Sequence, residues 1–135
     1  MCIFTHIAAG AFVGALAPAP FLAPVFGLGS HIALDIIPHY DFERMWLEIM
    51  FGCIVVAVLV IGGTRVLAIW LGALFAILPD LENLLWKLSV ISDEQKIFPG
   101  HVGIVPHGRK AGIMNLLGQF GASAIVVVYL IRGYS

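Results

Sequence analysis

The sequence predicts an all-α fold: a small polytopic membrane helical bundle of about five helical segments, one of them continuing into a short interfacial helix. Three observations predict it. Hydrophobic residues make up 61% of the 135 and charged residues only 11%, whereas a water-soluble domain carries roughly a quarter charged residues. Mean hydropathy is +1.03. Apolar runs of helical length alternate with Pro, Gly and the few charges, which is the punctuation expected of a bundle. By length the chain is one integral membrane domain, residues 1–135.

The first segment runs from about Cys2 to Ala17 and is broken by Pro18 and Pro20. Gly10 and Gly14 form a G-x-x-x-G pair on it, a pattern that permits close helix packing inside the bundle. No basic stretch or cleavage site marks a signal peptide, so this segment is expected to be retained. The second runs from about Phe21 to Ile37, with Pro24 tolerated in its first turn and Pro38 ending it. At 1.5 Å per residue these two reach only about 24–26 Å, against a hydrocarbon core of about 30 Å. They imply little tilt or a locally thinned bilayer.

The third segment spans about Met45 to Ile61, and Gly62-Gly63-Thr64 makes the turn. The fourth starts near Arg65 and has two readings. One is a single long helix kinked at Pro79. In the other, which is preferred, the spanning helix ends at Leu78 and a new helix opens with Pro79, followed by Asp80 and Glu82 in a first turn that suits the helix dipole. Leu81, Leu84, Leu85 and Leu88 would then be the apolar stripe of an interfacial amphipathic helix. The loop from Ser92 to Lys110 is the one long polar connection, and the fifth segment spans about Gly112 to Ile131.

Net charge −1 and the absence of a basic cluster exclude a nucleic-acid partner. Cys2 and Cys53 share no motif and read as small packing residues. With five spans, Arg44, Lys87, Lys96, Arg109 and Lys110 fall on the face of the N-terminus, against Arg65 and Arg132 on the other. The positive-inside rule makes the N-terminal face cytoplasmic.

Five histidines interrupt this apolar chain. The run Ser30-His31-Ile32-Ala33-Leu34-Asp35-Ile36-Ile37-Pro38-His39-Tyr40-Asp41 spaces His31, Asp35 and His39 four residues apart. Ionisable groups are expensive in hydrocarbon and so mark function, and imidazole with carboxylate is a common ligand set for zinc and similar ions. His31 and Asp35 share one helical face, the logic of H-E-x-x-H zinc helices with an acid in one ligand's place. His39 would reach back from the turn after Pro38. The five-span topology brings His6, Asp80, His101 and His107 to the same face as this run, although they come from separate segments.

Seven candidate ligands, His6, His31, Asp35, His39, Asp80, His101 and His107, exceed the needs of one four-coordinate ion. The expected cofactor is a divalent metal, zinc by ligand preference, as one ion or as two about 3.5–4 Å apart that activate water and clamp the attacking and leaving oxygens of a phosphoester. Glu82 and Asp41 are the candidate catalytic residues, either as general base or as partners orienting a ligand histidine.

Structural readings compete. His6 would be a hydrogen-bonded packing residue, Asp80 a helix N-terminal acid, and Glu82 and Asp41 solvated interfacial acids. His101 and His107 would belong to an ordinary surface loop within Phe98–Gly108. Arg109 and Lys110 read as headgroup anchors, with phosphate binding as the second reading. Glu48, Trp46, Trp70 and Trp86 read as interface or packing residues.

At these residues the chain resembles the YdjM-like family of inner-membrane, predicted metal-dependent hydrolases. The resemblance rests on Thr5-His6 with a glycine-bearing helix, on Ser30-His31-x-x-Leu34-Asp35-x-x-Pro38-His39-x-Asp41, on Leu78-Pro79-Asp80-Leu81-Glu82, and on His101 and His107. It implies a hydrolase of the bacterial inner membrane in which His6, His31, Asp35, Asp80 and one or both of His101 and His107 hold a metal. Two features depart from the family pattern: Glu82 stands where a second Asp is usual, and the late histidines lack the His-Arg-Gly-x-x-His form.

The reading that follows is a hydrolase acting on a lipid-linked or headgroup phosphoester at the cytoplasmic leaflet, with membrane lipid as its partner. A non-catalytic accessory subunit of a larger membrane complex is the second reading. A third makes His6 or His31 an axial ligand of haem or a chlorophyll-type pigment, although Asp35 one turn from His31 suits a bare ion better. Metal transport would need a continuous polar path to the opposite face, which the sequence does not contain.

Overall fold

The computed structural model describes residues 1–135. Five α-helices and no strands make up the fold: α1 (Ile3–Leu16), α2 (Ala23–Ile36), α3 (Met45–Ile61), α4 (Leu67–Lys87) and α5 (Ile113–Tyr134). Single 3-10 turns lie at Pro20–Leu22 and Asp93–Gln95. The two longest helices, α4 and α5, are long and apolar enough to cross a bilayer, while α1, α2 and α3 are shorter apolar helices.

One expected element does not form. α4 runs unbroken through Pro79, so no separate interfacial helix opens there, and the stripe Leu81-Leu84-Leu85-Leu88 is its last turns and cap. A proline inside a helix removes one intrahelical bond and crowds the preceding turn. Here tertiary contacts outweigh that cost: Pro79 is buried, and the turn before it packs against α1 and α2. The other predicted segments form within a few residues of their expected ends.

α1 is the central helix and packs against all four others. Its tightest neighbour is α4, and the reason is glycine. A Cβ on Gly72 would collide with the Gly10 carbonyl, one on Gly14 with the Ala68 carbonyl, and one on Gly27 of α2 with the Gly72 carbonyl. Three backbones therefore meet at Gly72, and small residues are what permit such an approach.

The ends of the helices sort accordingly. Gly62 and Gly63, after α3, lie against Ile131 and Ser135 at the end of α5. At the opposite end, residues 35–41 meet Met1 and the 107–111 segment. The apolar core of Ile7, Ala11, Leu59, Ile69, Ala73, Val127 and Leu130 occupies the middle. A smaller cluster of Cys2, Phe4 and Leu116 with Phe51 and Phe120 closes α1 against α3 and α5. Cys2 is buried in it as expected, but Cys53 is exposed rather than packed.

Candidate metal centre

The glycine crossing positions the site. His6 lies one turn before Gly10 on α1, His31 one turn after Gly27 on α2, and Asp80 two turns beyond Gly72 on α4. Because α1 runs opposite to the other two, all three offsets point to the same end of the bundle. The rings of His6 and His31 stack with centroids 4.0 Å apart, and both are fully buried.

Several polar atoms of these groups have no hydrogen bond. Both nitrogens of His6, Nε2 of His31 and Oδ2 of Asp80 are buried without a hydrogen bond. Asp35 approaches them, with Oδ1 3.2 Å from His6 Nε2 and Oδ2 3.1 Å from His31 Nε2, but out of line for hydrogen bonds. Leaving buried polar atoms unsatisfied costs about 1–3 kcal/mol each, so several at one point mark a place where a metal ion could be held.

His31 is also oriented. Its Nδ1 donates to the Ala76 carbonyl at 2.6 Å, in the turn before Pro79. A carbonyl only accepts, so Nδ1 carries the proton and Nε2 is the nitrogen turned toward Asp35 and the cluster, the orientation an outer-shell partner gives a ligand histidine. Asp80 sits inside α4 with its Oδ2 buried, which overturns its reading as a helix N-terminal acid.

The remaining candidates come from loops. Asn115 and Gln119, one turn apart on α5, hold residues 38–40: Asn115 Nδ2 donates to Pro38 O, Asn115 Oδ1 accepts from Tyr40 N, and Gln119 Nε2 donates to Tyr40 O. Gly108 N donates to Asp35 O at 2.6 Å, an approach in which a Cβ would strike the Ile37 carbonyl. This brings His107 Nδ1 to 3.7 Å from Asp35 Oδ2. His39 donates from Nδ1 to Ile37 O at 2.7 Å and turns Nε2 to Asp41 Oδ2 at 3.2 Å. The Met1 amino group lies 3.0 Å from Asp35 Oδ1 and 3.1 Å from Asp41 Oδ1, so these two carboxylates already converge on one cationic group.

His101 differs. Nδ1 donates to Glu82 Oε2 at 2.9 Å and Nε2 accepts from Asn83 Nδ2 at 2.8 Å. Glu82 also accepts the backbone N–H groups of Ile97 and Phe98. Of the two roles the sequence leaves open for Glu82, the contacts match the one that orients a histidine. Asp41, with its side chain 44% exposed, is the more open carboxylate, paired with His39 and the Met1 amino group.

Burial pulls the His101 and His107 imidazoles below their ordinary range, against the opposing pull of Glu82 and Asp35 respectively. For His39 burial also pulls downward, but the Asp41 carboxylate and the Ile37 carbonyl together raise it. Burial pushes the Asp41 carboxyl up, yet His39 and the amino terminus bring it down to about 2.

Four ligand groups emerge, each with donor atoms within 4.8 Å of one another: His6–His31–Asp80, His31–Asp35–His101, Asp35–His39–His107 and, apart from the predicted ligands, Cys2–Asp41–Glu48. All seven predicted ligands thus fall in one connected cluster. Neutral imidazoles and carboxylates at this spacing fit a divalent ion; the identity of the ion is not fixed by them.

Sequence reading missed several participants. Glu48 is not a packing residue: its carboxylate accepts Ile3 N and Phe42 N, each at 2.8 Å, tying α1 to the loop before α3. Its signal was an acid at the head of an apolar helix. Asn115 and Gln119 were legible as a polar i, i+4 pair in an apolar segment. Lys87 lines the cavity beside the cluster, whereas Lys110 pairs with Glu43 on the surface.

Comparison with known protein families, with curated proteins and with solved structures finds no match to this chain.

Proposed function

We propose that this chain is a multi-pass protein of the bacterial inner membrane that holds one or two divalent metal ions near its cytoplasmic face and hydrolyses a phosphoester there. The observation that carries the reading is the set of buried, unpartnered donors on His6, His31 and Asp80, delivered by three helices to one point.

The membrane setting is supported by imbalance. Only 29 of 135 residues are buried although 61% are hydrophobic, so most apolar side chains are at least partly exposed. Ile61, Phe21 and Ile125 are each more than 70% exposed. Exposed apolar surface on that scale needs an apolar surrounding.

In such a centre, His6, His31 and Asp80 would hold one ion, and His39 and His107 a second, with Asp35 between them. A bound divalent ion would supply Lewis acidity for the phosphoryl oxygens and a lowered pKa for water. Asp41, half open to the cavity, takes the proton from the attacking water. The water oxygen joins phosphorus, the ester P–O bond breaks, and the proton taken up by Asp41 passes to the leaving oxygen. Glu82 and Asn83 hold His101 and the loop over the site. The stacked, fully buried rings of His6 and His31 favour a bare ion over a macrocycle.

Metal analysis tests this. The purified protein should carry about one to two zinc-like ions per chain, and His31→Ala and Asp80→Ala should lose them along with phosphodiesterase activity in lipid nanodiscs. Unchanged metal content in both variants would overturn the reading.

A further inference from the structure

The groove beside the cluster indicates what the substrate looks like. α3 and α4 both pack on α1 but hardly touch each other. Between them lies a cavity of about 590 Å³, within the usual range for small-molecule sites of roughly 300–1,000 Å³. Its wall on α3 is one helical face, Met45, Glu48, Ile49, Gly52, Cys53 and Val56, with Ile3 and Ile7 of α1 as floor; Glu48, the one charged residue of that wall, stands in the first turn of α3 near the polar end. Along α3 that face descends from Met45 to Ala57, about 18 Å at 1.5 Å per residue. One leaflet's hydrocarbon is about 15 Å deep, half of a core of about 30 Å.

The groove is polar at one end only. Asp35, Asp41, Glu48, Asp80 and His107 line the end at the metal cluster, and two cations share that lining, the Met1 amino group against Asp35 and Asp41 and the Lys87 side chain. The opposite end has no charged or polar lining. A wholly polar headgroup would leave the long wall empty, and a wholly apolar molecule would desolvate the carboxylates without pairing them. An amphiphile satisfies both.

We propose that the groove between α3 and α4 takes a single acyl chain of a phosphate-bearing lipid from the adjacent leaflet, seating its phosphate at the cluster. This deepens the hydrolase reading and rests on it for the position of the head. The tail site itself is tested separately.

The probe is a hexadecyl phosphate carrying a photoreactive diazirine in its chain, added to the full-length protein in phosphatidylcholine nanodiscs. Cross-links should concentrate on the Ile49–Ala57 and Ile77–Leu84 stretches. Excess unlabelled hexadecyl phosphate should reduce them at least tenfold, and glycerol 3-phosphate at the same concentration should not. Cys53→Trp and Ala57→Trp, both at exposed positions of the groove wall, should each lower groove labelling about tenfold while metal content stays at the wild-type level. Ile125→Trp on the outer face of α5 should change nothing. Labelling spread evenly over the exposed faces of α3 and α5, equal competition by glycerol 3-phosphate, or a groove closed to the probe by a second copy of the chain would overturn the proposal. Loss of metal from the wild type with groove labelling intact would instead sink the hydrolase reading and leave the tail site standing.

Discussion

The candidate centre has two halves built by different means. His6, His31, Asp35 and Asp80 stand on helices fixed by the Gly10–Gly72–Gly27 crossing, and most of their inward atoms lack hydrogen bonds. His39, Asp41, His101 and Glu82 stand on loops or a helix end and are bonded to backbone carbonyls, amides or one another. The helical half leaves several inward atoms without hydrogen bonds, which is where a cation could be held. The loop half is already satisfied, so it holds positions and shapes access. Ligand affinity should therefore reside mainly in the crossing, and the loops should tune it.

Four changes would break or sharpen that contrast. Gly72→Leu forces side-chain carbon between α1, α2 and α4; a loss of about 3 kcal/mol, the upper end for overpacking, is expected in denaturant unfolding, together with loss of bound metal. His31→Ala should weaken metal binding by more than ~100-fold in a chelator competition, beyond the ~10–100-fold typical of outer-shell partners. Glu82→Gln removes a carboxylate that touches only the loop and His101; a ~10-fold loss of metal affinity is expected, and a loss as large as that of His31→Ala would erase the distinction between halves. Gln119→Ala frees Tyr40 O and Thr5 Oγ1 from their partner and should cost about 1 kcal/mol of stability with metal stoichiometry unchanged.

Local rules read the helical half well. His31 and Asp35 one turn apart need only the helical period, and Gly10 and Gly14 announced a close contact, though not that Gly72 and Gly27 complete it. Pro79 with Asp80 and Glu82 satisfied every local sign of a helix start, and those signs know nothing of the packing that carries α4 through. The loop half was less legible. That Glu82 would anchor Ile97, Phe98 and His101 depends on contacts 15 to 19 residues apart, and Glu48 was overlooked because its partners, Ile3 N and Phe42 N, belong to other segments.

Asp35 belongs to neither half alone, since its oxygens lie 3.2 Å from His6 Nε2, 3.1 Å from His31 Nε2 and 3.7 Å from His107 Nδ1. A shared anion makes occupancy interdependent. The first cation to arrive takes most of its charge, and the next meets a weaker attraction and a like-charged neighbour. Loading would then be stepwise, one ion held firmly and the other exchanging at concentrations a cell can vary.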